Sequence, residues 1–272
     1  MNTLLSARAL TFNPKRRSFF ERDSGKAFVL GPIDLSIERA ETVAIIGGNR
    51  SGKSVLAKLL CGALAPTSGE IVFHQDPSQS EGSMSGKEQQ QWQNSQVRMI
   101  FQRSSESLNP ALTIGGILQE PLKLNTQLSA AEIDERIEQT LIQVGLLREH
   151  YFFYPHMLSD GQQQRVAMAR ALILNPSIIV ADEPFAALDP SVRSQTVNMI
   201  LRLQRELGLS FVFISHNLGI VRHIADRMIV LENGQIVESG KTDTLFRWPK
   251  HDVTKKLISA HQSLLPQSQR QK

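Results

Sequence analysis

Eight residues, Gly47-Gly48-Asn49-Arg50-Ser51-Gly52-Lys53-Ser54, constrain this chain more than any others. They follow the apolar run Thr42-Val43-Ala44-Ile45-Ile46 and precede Val55-Leu56-Ala57-Lys58-Leu59-Leu60, which reads as a helix. A strand, a glycine-bounded turn and a helix in that order form a phosphate-binding loop. Gly47 and Gly52 let the backbone turn tightly, so that N–H groups point inward at an anion. Lys53 is suited to the β- and γ-phosphates of a nucleotide and the Ser54 hydroxyl to Mg²⁺. The helix adds the positive end of its dipole. All eight positions are therefore candidate nucleotide contacts. The competing reading is a glycine-rich turn that binds nothing, and the flanking strand and helix weigh against it.

With 272 residues, 41% of them hydrophobic, the chain can bury one substantial core with an inserted subdomain. No apolar run approaches the roughly 20 residues needed to cross a bilayer. Arg8 interrupts the stretch where a signal peptide would need apolar residues, so a cytosolic chain is expected. Cys61 is the single cysteine, which excludes internal disulfides and cysteine-ligated clusters; packing in the helix after the loop is its expected role. The net charge of +4 is modest, and the basic run Pro14-Lys15-Arg16-Arg17 reads as a solvated loop. Charge alone gives no ground for nucleic-acid binding.

Alternating strand and helix patterns predict an α/β fold with a largely parallel core sheet. Strands are expected at 4–10, 28–37, 42–46, 70–74, 96–101, 177–181 and 210–214. The polar segment 75–94 reads as an exposed loop. Helical spacing covers 114–124 and 130–145, with Leu141, Val144 and Leu147 able to share a face. No strand is evident between 102 and 158, so a helical insertion is expected there. Helices follow at 161–174 and 190–207. Residues 227–232 and 235–238 are read as a hairpin joined by Asn233-Gly234. Beyond His261 the tail is polar and expected to fray.

Two further segments carry chemistry. In Ile178-Ile179-Val180-Ala181-Asp182-Glu183-Pro184 a buried strand ends in two carboxylates, at the strand end where α/β sheets bind ligands. Asp182 can hold the Mg²⁺ shell, leaving Glu183 to polarise a water for attack on the γ-phosphate. In Leu158-Ser159-Asp160-Gly161-Gln162-Gln163-Gln164-Arg165, Ser159 has the character of an N-cap, and Gly161 permits close approach to a phosphate.

With the other motifs in this order, the latter segment resembles the signature motif of ABC-type ATPases, usually Leu-Ser-Gly-Gly-Gln. The resemblance covers about residues 4–260. It implies a P-loop NTPase core with antiparallel β strands and an inserted helical subdomain at about 103–157. The ATPase domain would span 1–261, followed by a polar tail at 262–272. It also implies residue roles. Gln102 matches the Q-loop glutamine, tied to metal and water; Asp189 matches the D-loop; His216 matches the switch histidine, which contacts the γ-phosphate. Ser159, Gly161 and Gln162 would contact nucleotide through the signature motif. Phe12 is the candidate for stacking on adenine, with Phe19 and Phe20 as alternatives.

In the family, two such domains face head to tail around two ATP molecules. Ser107-Leu108-Asn109-Pro110, Tyr154-Pro155-His156-Met157-Leu158 and the segment 249–257 look like those of oligopeptide and dipeptide importers, and most like the Sap-type branch. That likeness implies ATP and Mg²⁺, a second ATP-binding subunit in a heterodimer, two transmembrane permease subunits and a periplasmic binding protein. The chain would sit peripherally on the cytoplasmic face of a bacterial inner membrane. Both peptide handling and polyamine (putrescine) export follow from this branch. A soluble ABC ATPase of translation or DNA maintenance is the remaining alternative; such chains carry two ATPase domains or a long coiled coil, and this one has neither pattern. Two residues depart from the family: Asp160 and Arg50 each stand where glycine is usual.

Overall fold

Between Gly31 and Ile37 buried and less buried residues alternate strictly, with Ile33, Leu35 and Ile37 turned inward. Period-two burial of this kind makes a strand with one face on a core. The strands Thr42–Gly47, Ile178–Asp182 and Ser210–Ile214 are instead buried almost throughout, as strands covered on both faces are. The computed structural model describes residues 2–14, 28–74, 95–100, 107–186 and 188–263. They fall into two compact units, one formed by Met1–Ser83 with Val212–Lys272, the other by Met84–Phe211.

In the first unit β1 (Thr3–Phe12) lies between β2 (Leu30–Glu38) and β4 (Ser68–Phe73), antiparallel to both. Strand β3 (Thr42–Gly47) pairs parallel with β8 (Arg227–Glu232), Ile45 facing Ile229. Strand β9 (Gln235–Lys241) returns antiparallel to β8. Asn233 and Gly234 both have positive φ, 49° and 80°, as a tight two-residue hairpin turn needs. The pairing continues past Glu238, the expected end, to Lys241.

Helices α1 (Lys53–Leu60), α6 (Leu218–Ile224), α7 (Thr242–Arg247) and α8 (Asp252–Ser263) complete this unit. Ala44, Ile46, Val221, Met228, Val230 and Phe246 form part of its core. Helices α6, α7 and α8 were not expected; with seven and six residues the first two are too short for an apolar stripe to repeat. Helix α8 carries order through Ser263, past the expected fraying point at His261. Cys61 sits just beyond α1, half-buried, its Sγ donating to Lys58 O at 3.4 Å.

In the second unit β5 (Val97–Ile100) and β6 (Ile178–Asp182) run parallel, Met99 facing Val180. Helices α2 (Ile114–Asn125) and α3 (Ala130–Gln143) are followed by 3₁₀ turns at Arg148–Phe152 and Pro155–Met157, then α4 (Asp160–Leu172) and α5 (Pro190–Leu207). Thr113 caps α2, and Ser129 caps α3 in a reciprocal box with Glu132. The expected shared face of Leu141, Val144 and Leu147 is corrected here. Leu141 and Val144 are fully buried, but α3 ends at Gln143, so Leu147 leaves the helical phase and is 59% exposed. Strand β7 (Ser210–Ile214) carries the chain from this unit back to the first. Among the described residues no helix is long and apolar enough to cross a membrane.

Candidate nucleotide site

The phosphate-binding loop leaves the end of β3. A Cβ on Gly47 would lie 2.2 Å from Leu231 O and 2.8 Å from Ser51 Oγ, so only glycine fits there. Over Gly48 the same test meets nothing within 4 Å; the loop opens outward at that point. Lys53 folds its ammonium into the turn, donating to Gly47 O at 2.9 Å, Gly48 O at 2.7 Å and Ser51 Oγ at 3.3 Å. A cation is thus held at the mouth of the loop.

Helices α2, α3, α4 and α6 each have a side-chain cap at their first turn. Helix α1 opens on Gly52 with no such cap, which leaves its leading N–H groups to serve an anion. The loop is braced by the β8–β9 turn, where Gly234 N–H donates to Ser51 O at 3.0 Å and Gly234 O accepts from Gly31 N–H at 2.7 Å. Asn49, Arg50 and Ser54 are exposed, Ser51 is buried, and Arg50 takes a left-handed φ of 61°. These features fit a polyphosphate: open space over Gly48, a poised ammonium, an uncapped helix start and an accessible Ser54 hydroxyl for a metal.

In the same unit, Ser215 N–H reaches Ile45 O at 3.4 Å, which sets the end of β7 beside β3. His216 follows, exposed, and Asn217 caps α6 by accepting from Ile220 N–H. Phe12 ends β1 opposite Leu30, half-buried. The ring of Phe28 lies 2.9 Å from where a Cβ on Gly52 would stand. Phe28 was not singled out in the sequence; its place at the start of the expected strand 28–37, two residues ahead of β2, was the available signal. Phe19, Phe20 and Gln102 lie outside the described residues.

In the second unit Asp182 and Glu183, both half-buried, leave the end of β6. Glu183 has φ 49°, a left-handed conformation that costs a non-glycine residue about 1 kcal/mol. Strain of this kind concentrates at functional sites. Gln164, 7% exposed on α4, donates its Nε2 to Pro184 O at 3.3 Å. Ser159 caps α4: its Oγ accepts from Gln162 N–H at 3.4 Å, and its own N–H donates to Gln162 Oε1 at 3.0 Å. Asp160 is exposed in the first turn, where a carboxylate complements the helix dipole. A Cβ on Gly161 would come within 3.0 Å of Val192 on α5. Asp189 is the exposed N-cap residue of α5, and its carbonyl accepts from Arg193 N–H at 2.8 Å.

A phosphate loop entered from a buried strand, together with a carboxylate pair ending another, defines an ATPase of the P-loop class. The family model of the ABC transporter matches residues 30–186. The chain belongs to that family and is an ATP-binding, ATP-hydrolysing subunit that powers a transporter, working with permease components. It is 42% identical over 262 residues to the SapF protein of Escherichia coli K12, named for a putrescine export system, covering 96% of this chain and 94% of that one. The Salmonella typhimurium SapF, named for peptide transport, matches to the same extent. The dipeptide transport protein DppF of Haemophilus influenzae is 41% identical across 96% of this chain and 78% of its own length. Among solved structures, CbiO1 of Clostridium perfringens, part of the CbiONQ ABC transporter complex, superposes with a TM-score of 0.75. It is 28% identical and covers 98% of this chain and 97% of its own.

Proposed function

We propose that the chain drives peptide transport by hydrolysing Mg²⁺-bound ATP at the inner face of a bacterial inner membrane. Its assembly would pair it with a second ATP-binding subunit, two permease subunits and a periplasmic peptide-binding protein. Peptide cargo is supported by the names of the Salmonella and Haemophilus relatives; putrescine export is the second reading, supported by the name of the Escherichia coli relative. The segment 103–157 would be the helical subdomain of a domain spanning 1–261, with 262–272 as its tail. Exposed Leu147, Phe152 and Met157 give that subdomain apolar surface for a permease.

The observation that carries the ATPase chemistry is the Lys53 ammonium held across the Gly47 and Gly48 carbonyls, at the uncapped start of α1. Lys53 and the loop N–H groups of residues 47–54 bind the β- and γ-phosphates, and Phe28 or Phe12 stacks on adenine. Ser54, Asp182 and Gln102 are the residues that would hold Mg²⁺, which when bound would supply charge neutralisation on the phosphate oxygens. Glu183 accepts a proton from the attacking water as its oxygen bonds to the γ-phosphorus and the bridging oxygen leaves with ADP. His216 steadies the γ-phosphate. Ser159, Gly161, Gln162 and Asp189 serve the nucleotide of the facing subunit. The test is Glu183→Gln in the full chain: ATP is retained while turnover falls by about 10²- to 10⁴-fold. Full turnover by this variant would remove Glu183 as the base.

A further inference from the structure

We propose that Gln164 is a positioning residue for hydrolysis, fixing the loop that carries Glu183 to the helix that begins with the signature motif. The inference rests on the reading of Glu183 as the base. Glu183 leaves β6 with φ 49°, and a left-handed non-glycine residue persists only when its surroundings hold it there. Within its own loop Glu183 O accepts from Ala186 N–H at 3.2 Å, and Phe185 O from Leu188 N–H at 3.3 Å. The bond from Gln164 Nε2 to Pro184 O joins the residue after Glu183 to α4, and Arg193 on α5 donates to Leu188 O further along the same loop at 2.9 Å.

The geometry favours a positioning role over simple packing. Gln164 stands among Val166, Ala167 and Met168 on the buried part of α4 and is itself 7% exposed. An amide in such a place is costly unless its donors are used, and here the acceptor is the backbone beside the candidate base. Proline has no N–H, so its carbonyl is the one backbone hydrogen-bonding group that Pro184 itself offers. Five residues before Gln164, Ser159 opens the same helix in its capping box with Gln162. A tilt of α4 therefore reaches Glu183 through one side chain and one carbonyl.

The test compares Gln164→Met, which keeps length and loses the donor, with Gln164→Glu, which keeps shape and sets an acceptor against Pro184 O. Both are made in the full chain. Expected are a fall in kcat of about ten- to a hundred-fold, KM for ATP within about two-fold of wild type, and faster hydrogen exchange at the Ala186 and Leu188 amides. Wild-type kcat in either folded variant would overturn the proposal, as would a raised KM at unchanged kcat. Should Gln164→Met not fold, Gln164→Glu decides by the same readouts. Glu183→Gln in parallel separates the two levels: its full turnover sinks the base reading, whereas slow Glu183→Gln with normal Gln164 variants sinks only the positioning role.

Discussion

Arg50 and Glu183 share an uncommon property, a left-handed backbone without being glycine. For Glu183 the conformation directs a candidate base out of the end of β6. For Arg50 it follows from the loop's geometry, since a tight turn around an anion needs that φ whichever residue occupies it. The family's usual glycine would take it freely. Arg50→Gly is therefore expected to stabilise the protein by about 0.5–1 kcal/mol, measured by urea unfolding. A loss of stability would mean that the guanidinium contributes more than the backbone costs. The eight loop residues were legible as a unit, because glycine, lysine and serine at fixed spacing leave few other uses for the segment. Phe28 was not, because an aromatic at a strand head becomes informative only when the fold brings it to Gly52.

Most long elements were read from periodicity within a residue or two, and α5 and β7 have the expected limits. The twelve-residue α8 was missed; the other failures lie where periodicity has no reach. Helices α6 and α7 are about two turns or less, and the fate of Leu147 depended on where α3 stops. That stop is made by Gly145, left-handed at φ 75°, with Leu146 N–H donating to Leu141 O and Gly145 N–H to Ile142 O, both at 2.9 Å; the Arg165 guanidinium adds bonds to Val144 O at 3.3 Å and Gly145 O at 3.0 Å. The start of α8 is held by a side chain from another element. Glu238 on β9 accepts from Lys250 N–H at 2.9 Å and His251 N–H at 3.0 Å. Partial burial acts to raise its pKa, but the Thr254 hydroxyl, these backbone bonds and the nearby His251 outweigh it and hold the carboxyl below the ordinary glutamate value. A depressed pKa adds stability above the unfolded value that is lost as pH falls through the folded one. Glu238→Gln should thus lower Tm by roughly 1–3 °C at pH 7, and the difference should fade below about pH 4. A difference that persisted in acid would show that the carboxylate charge is not its source.

At the scale of the molecule, two units each carry part of the proposed chemistry, the phosphate loop in one and the carboxylate pair in the other. The family's paired ATPases give Asp160 its significance. It stands where glycine is usual, exposed at the head of α4, and would bring negative charge near the γ-phosphate of a facing subunit. In the assembled complex Asp160→Gly is expected to raise ATP turnover roughly two- to five-fold, and an unchanged rate would discard the idea. Asp160 was legible as a departure from pattern, whereas the tie from Gln164 to Pro184 was not, since residues 20 apart in sequence meet only through the fold.

The brace on the phosphate loop carries a consequence for biogenesis. Ser51 and Gly31 are both tied to Gly234, so the segment that grips nucleotide emerges from the ribosome long before the turn that steadies it. For most of translation the nascent polypeptide would hold a half-supported cradle. A message truncated ahead of residue 234 would yield a product with every loop residue present and no firm hold on ATP.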